Sequence, residues 1–155
     1  MNDLSDLLRP EAVLTGVAAP TKKMVLQLLG AAAAPLVGAE ARAITDRLIE
    51  REKLGSTGFG GGVALPHAKL AGLGQVTGVF ARMAQPVDFA AVDDVPVDLV
   101  FLLLSPADAG ADHLKALARV SRRMRDRTFL AKLRGAGSRD ALYALFATDE
   151  TRDAG

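Results

Sequence analysis

Apolar positions recur at helical spacing in two early stretches of the chain. Thr21, behind Pro20, reads as a helix cap, and Val25, Leu28, Leu29, Ala32 and Leu36 then follow one stripe. A second helix is predicted over 39–53, with Ala41, Ile44 and Leu48 inward and Gly55 as its stop. The period then changes. Gly58 to Gly62 reads as a loop and Val63-Ala64-Leu65 as a short strand. Val76, Val79, Phe80 and Met83 mark a strand over 75–83, after which Gln85-Pro86 should turn the chain. The run VDLVFLLL at 97–104 is almost unbroken apolar, the pattern of a strand covered on both faces, and Ser105-Pro106 should end it. A helix over 111–126 presents Leu114, Leu117, Val120 and Met124, and two shorter helices are predicted near 128–134 and 139–147. Helices before, between and after the strands predict a three-layer α/β/α fold around a mixed sheet.

Composition narrows the function. A chain of 155 residues, half of them hydrophobic, can bury one good core, so one domain over 1–155 is expected, with a frayed tail at about 148–155. Nineteen Lys and Arg against 18 Asp and Glu leave a formal charge of +1, and no overall field selects nucleic acid or an anionic membrane. The absence of cysteine removes a disulfide framework, a thiolate nucleophile and a zinc ribbon, and fits a reducing compartment. The start, MNDLSDLLRP, lacks the order of a signal peptide, and no stretch is long enough to span a bilayer, so a soluble cytoplasmic protein is expected.

The glycines and the two histidines carry the candidate chemistry. A dinucleotide fingerprint starting at Gly58 would need glycine where Val63 stands and should open a helix, and a Walker A loop from Gly55 would need lysine at Gly61. No G-x-S-x-G elbow is present. The remaining choices are a flexible turn, or a backbone free to bring bare N–H groups close to an anion near His67. Pro66 should break the ladder and leave His67 just beyond the sheet edge, where open α/β sheets bind ligands. Arg51 shares the inward sector of Ile44 and Leu48, so it either snorkels to water or is held for an anion. His113 lies in the first turn of its helix, as a packing residue or as a neutral donor to phosphate. No H-x-x-x-H or H-x-H spacing supports a metal site, and Arg119, Arg122 and Arg123 read as a solvated face.

Taken together, STGFGGGVALPHAKL, the preceding REKLG and the later DHLKALARVSRR resemble the IIA component of the phosphoenolpyruvate-dependent phosphotransferase system. The likeness is to the nitrogen-regulatory type, with mannitol/fructose-type IIA domains as relatives, and extends from LLRPEAVLTGVAAPTKKMVLQLLGAAA to the last helices. It implies that His67 takes a phosphoryl group from a histidine phosphocarrier protein, that Arg51 and His113 hold the phosphate, and that no cofactor or metal takes part. Many relatives carry Asn where Gly61 stands, so a side-chain contact available to them is missing here. The implied role is phosphorylation-dependent regulation of target proteins. Its alternatives are a sugar-transport IIA passing phosphate to a separate IIB protein, or an interaction module that carries no phosphate.

Overall fold

Residues 3–148 are described in the computed structural model. A 3-10 turn at Pro10–Ala12 leads into strand β1 (Val13–Val17), followed by helices α1 (Lys22–Val37) and α2 (Ala41–Lys53). Five strands come next: β2 (Gly58–Gly60), β3 (Val63–Ala64), β4 (His67–Leu70), β5 (Thr77–Val87) and β6 (Val97–Pro106). Helices α3 (Ala111–Met124), α4 (Arg127–Gly135) and α5 (Arg139–Phe146) complete the described chain.

The sheet has the order β1-β5-β6-β3-β2, with β4 also paired to β6. β5 lies antiparallel to β6, whereas β3 and β4 run parallel to it, so the sheet is mixed as expected. Leu99 to Leu104 are all fully buried, which requires cover on both faces of β6. α1 and α2 pack on each other and onto β5 and β4, while α3, α4 and α5 pack in series and reach β6 and β1. Phe80, Phe101 and Phe129 surround Phe146 with ring centroids 4.8, 5.7 and 5.3 Å away, closing the core between β5, β6 and the last two helices.

Thr21 caps α1 by accepting from the Met24 N–H, but the helix is turned differently from its predicted stripe. Leu28 is 41% exposed, and Leu26, Gly30 and Ala33 join Val25 and Leu29 inside. Gly30 sets this rotation: a side chain there would collide with Thr45, so the bare glycine face lets α1 lie closely on α2. Leu28, two residues away, is then roughly opposite the contact. The same correction applies on α3. Leu114 is 68% exposed, and the buried stripe is His113, Ala116, Val120, Arg123 and Met124.

Two predicted breaks are continuous strand. β5 runs through Gln85 and Pro86 to Val87, with a shifted register between Arg82 and Val87 that accommodates a proline unable to donate. β6 continues through Ser105 and Pro106, because β4 supplies partners for both at Lys69 and Leu70. The predicted frayed tail lies, beyond Thr148, outside the described residues.

The solvated basic face is also corrected. Arg122 is exposed, but Arg119 makes a two-pronged pair with Asp6, and Arg123 is only 3% exposed. Arg123 lies roughly two turns beyond Ala116, on the core side, with its guanidinium carbon 3.8 Å from the Phe129 ring centre. Its Nη2 donates to the Leu145 and Thr148 carbonyls at 2.7 and 3.1 Å. Arg123→Gln should therefore destabilise the fold by about 2–3 kcal/mol through lost charge-assisted bonds and ring contact, while Arg122→Gln should shift it by under about 0.5 kcal/mol. Urea unfolding of the two variants checks this; equal stabilities would contradict it.

Candidate active site

The end of α2 delivers Arg51. The helix stops at Lys53, and Gly55, at φ 147°, turns the chain back so that its carbonyl accepts from Arg51 Nη1 at 2.9 Å. Glu52 anchors this turn from beneath. Its buried carboxylate receives the Thr57 hydroxyl, the Thr57 N–H at 3.2 Å and Lys22 Nζ at 2.7 Å from the start of α1. Nothing in the sequence singled out Glu52, because its partner Lys22 lies thirty positions away.

His67 is not beyond the sheet edge as predicted. It opens β4, opposite Leu103 of β6, and Pro66 merely interrupts a path that follows β6 from β3 into β4. The Pro66 carbonyl still accepts from the Leu103 N–H at 2.9 Å, so only the missing proline donor separates the two strands. The ring is held at both nitrogens. Nδ1 lies 2.9 Å from the Leu65 carbonyl, which can only accept, so Nδ1 carries the proton. Nε2 then keeps a lone pair, and Arg51 Nε donates to it at 3.3 Å.

His113 comes from the first turn of α3, with its ring centroid 5.8 Å from that of His67 and its plane tilted by 49°. It is 7% exposed, more deeply placed than a half-buried packing residue, and its Nδ1 lies 2.6 Å from the Ser105 hydroxyl. The sequence marked Ser105 only as a strand end. The structure thus brings together all three predicted residues, His67, Arg51 and His113, in one cleft of about 630 Å³. Arg47, Lys53 and Lys69 also line it against a single acid, Glu50, and so favour an anion.

The glycine turn does not belong to this cleft. β2 and β3 form a small hairpin whose tip is clamped by other elements: Gly61 N–H donates to Asp93, and the Gly61 carbonyl accepts from Arg134, itself paired with Asp98. Gly62 has φ 80° and no room for a side chain, since Arg134 and Asp98 fill that space. The tip sits beside Leu99, four residues along β6 from the partner of His67, or roughly 13 Å. Of the glycines flagged in the sequence, Gly55 alone is shown bonded to a site residue.

Burial pushes the His67 pKa below its ordinary 6.5, aided by the Arg51 charge and opposed by the Leu65 carbonyl and Glu52. Burial lowers that of His113 as well, with His67 and Lys69 acting in the same direction. Both rings are therefore neutral at neutral pH. Since the unfolded histidines bind protons near 6.5 and the folded ones only below it, this contribution to stability is complete above 6.5 and is lost as pH falls toward the folded values. Ring titrations followed by NMR should give both midpoints below 6.5; a midpoint at or above 6.5 would contradict the burial argument.

A neutral imidazole with one bare nitrogen, a guanidinium beside it and a second neutral histidine give this α/β scaffold a nucleophilic nitrogen in an electropositive cleft that suits an anion. The chain belongs to the phosphoenolpyruvate-dependent sugar phosphotransferase system EIIA 2 family, whose pattern matches residues 6–148. A nitrogen regulatory protein of Bradyrhizobium diazoefficiens is 50% identical over 144 residues, covering 93% of this chain and 94% of that protein. The crystal structure of the nitrogen regulatory protein IIA-Ntr from Neisseria meningitidis superposes with a TM-score of 0.87 at 31% identity, covering 92% of this chain and 98% of that one. IIA mannitol from Escherichia coli shares the fold at a TM-score of 0.73 and 22% identity, over 88% of this chain and 96% of its own.

Proposed function

We propose that the chain is one IIA unit, a phosphocarrier of a nitrogen-related phosphotransferase system that takes a phosphoryl group onto Nε2 of His67. The single observation that carries this reading is the Leu65 carbonyl on Nδ1, which keeps the Nε2 lone pair available. The donor is a histidine phosphocarrier protein. Its N–P bond breaks, and the bonding pair returns to the donor imidazole while the Nε2 lone pair forms the new bond to phosphorus. His67 keeps its Nδ1 proton throughout, and the Leu65 carbonyl stabilises the positive charge that develops on the ring. Arg51 must give up its bond to Nε2 as phosphorus arrives, after which its N–H groups and His113 can meet the phosphoryl oxygens.

Regulation follows from phosphorylation-dependent binding of target proteins, because the phosphoryl group adds charge and acceptors at one surface point. The nitrogen regulatory relatives, matched over nearly their full length, support this role over sugar transport. Among the described residues no helix is long and apolar enough to cross a membrane, in keeping with a cytoplasmic carrier. Incubation with phosphoenolpyruvate, the first enzyme of the system and a histidine carrier, followed by intact-mass analysis and peptide mapping, tests the proposal. A single phosphoryl group on the peptide containing His67 is expected; an unmodified chain, or modification elsewhere, would overturn it.

A further inference from the structure

Ser105 sits near the end of β6, fully buried, in register with Lys69 of β4. Its hydroxyl lies 2.6 Å from His113 Nδ1, which is its hydrogen-bond partner among the described residues. Two arrangements of protons fit that distance. If Nδ1 held the proton, it would donate to the serine oxygen, the serine hydrogen would be buried without an acceptor, and His113 would turn a bare Nε2 toward an anion. If the serine donates, Nδ1 accepts, the buried hydroxyl is satisfied, and the histidine proton moves to Nε2. A buried donor left without a partner is the costlier outcome, so the second arrangement is favoured. Burial of His113 also keeps its ring neutral, so a choice between tautomers has to be made.

We infer that Ser105 is a positioning residue that holds His113 as the Nε2–H tautomer, so that this histidine can donate a hydrogen bond into the cleft it shares with His67. The two histidines are thereby set as opposites. The Leu65 carbonyl leaves His67 with a bare Nε2 to attack phosphorus, and the Ser105 hydroxyl leaves His113 with a protonated one to meet a phosphoryl oxygen. This inference rests on the phosphoryl-acceptor reading for its purpose, but the tautomer itself can be measured without any transfer.

Long-range proton–nitrogen NMR correlation of the labelled protein reads both rings above pH 6.5. In the wild type, His113 should show a protonated Nε2 and an accepting Nδ1, and His67 the reverse. Ser105→Ala should return His113 to a mixture of tautomers and slow phosphorylation of His67 about tenfold, as for other groups that act by orienting a functional histidine, with KM for the carrier protein unchanged. Ser105→Thr, which keeps the hydroxyl, should restore the wild-type spectrum. A wild-type His113 protonated at Nδ1 overturns the inference, and so does an alanine variant with an unaltered tautomer and rate. Should the alanine variant fail to fold, the wild-type and threonine spectra decide the matter alone. If no donor phosphorylates His67, the functional reading fails while the spectrum still decides the assignment of Ser105.

Discussion

His67→Ala should abolish acid-labile, base-stable phosphorylation and leave the fold intact. The attacking lone pair is unique to this residue in the cleft. His113 is buried and has Nδ1 tied to Ser105, and the remaining lining groups are cations, one acid and apolar side chains. The cost to the fold is small, because the ring belongs to an open cleft. The variant gives up two hydrogen bonds of the ring, to the Leu65 carbonyl and from Arg51, both only part-buried. Radiolabel transfer from the carrier protein, read beside a thermal melt, measures both quantities. Label retained on a folded alanine variant would refute the assignment of His67.

Arg51→Leu should slow phosphorylation of His67 by about two orders of magnitude, as when a developing negative charge loses a preorganised cation, while unfolding free energy moves by no more than about 1 kcal/mol. Both acceptors of Arg51 are neutral, the Gly55 carbonyl and His67 Nε2, and among the described residues no ion pair with a carboxylate is seen. Leucine therefore leaves no charge stranded. It forfeits two modest bonds and removes one cation from a cleft that also holds Arg47, Lys53 and Lys69, which offsets part of the loss. A side chain that merely carried its charge out to water would leave the transfer rate unchanged. Time courses and melts on the two proteins decide between these outcomes, and a destabilised variant with full activity would remove Arg51 from the site.

The parts of the molecule that were legible in sequence are those whose cause is local. Thr21 caps α1, the apolar run from Val97 to Leu104 is the doubly covered strand, and the helical spacing of Ile44, Leu48 and Arg51 places the arginine toward the sheet. What was illegible depends on pairing at a distance. β1 and β4 hold only five and four residues, several of them exposed, and exist because β5 and β6 provide a ladder for them. Leu28 and Leu114 looked like core until Gly30 and Ala116 turned the opposite faces inward. The sequence leaves the glycine hairpin open between a flexible turn and an anion-binding backbone, because Gly62 is near His67 in the chain, but a strand carries that short separation to a different end of the sheet. The three residues that the sequence singled out nevertheless line one cleft, and each has a chemical oddity of its own: an inward cation, a histidine behind a proline, and a histidine at a helix start.

The holds on His67 differ in stiffness. Its main chain is locked into β4 against Leu103, and its proton is fixed by a carbonyl two residues back, whereas Arg51 reaches it at the end of a long side chain from the last turn of a helix. If His67 is the acceptor, as proposed, this divides the work: its main chain stays in the ladder, and the cation can swing aside and return. Loading then requires one side chain to move and no strand or helix to shift. A partner that distinguishes the loaded from the empty protein would thus have little change of shape to sense, and would have to read the strength of the positive charge in the cleft, which the phosphoryl group lowers.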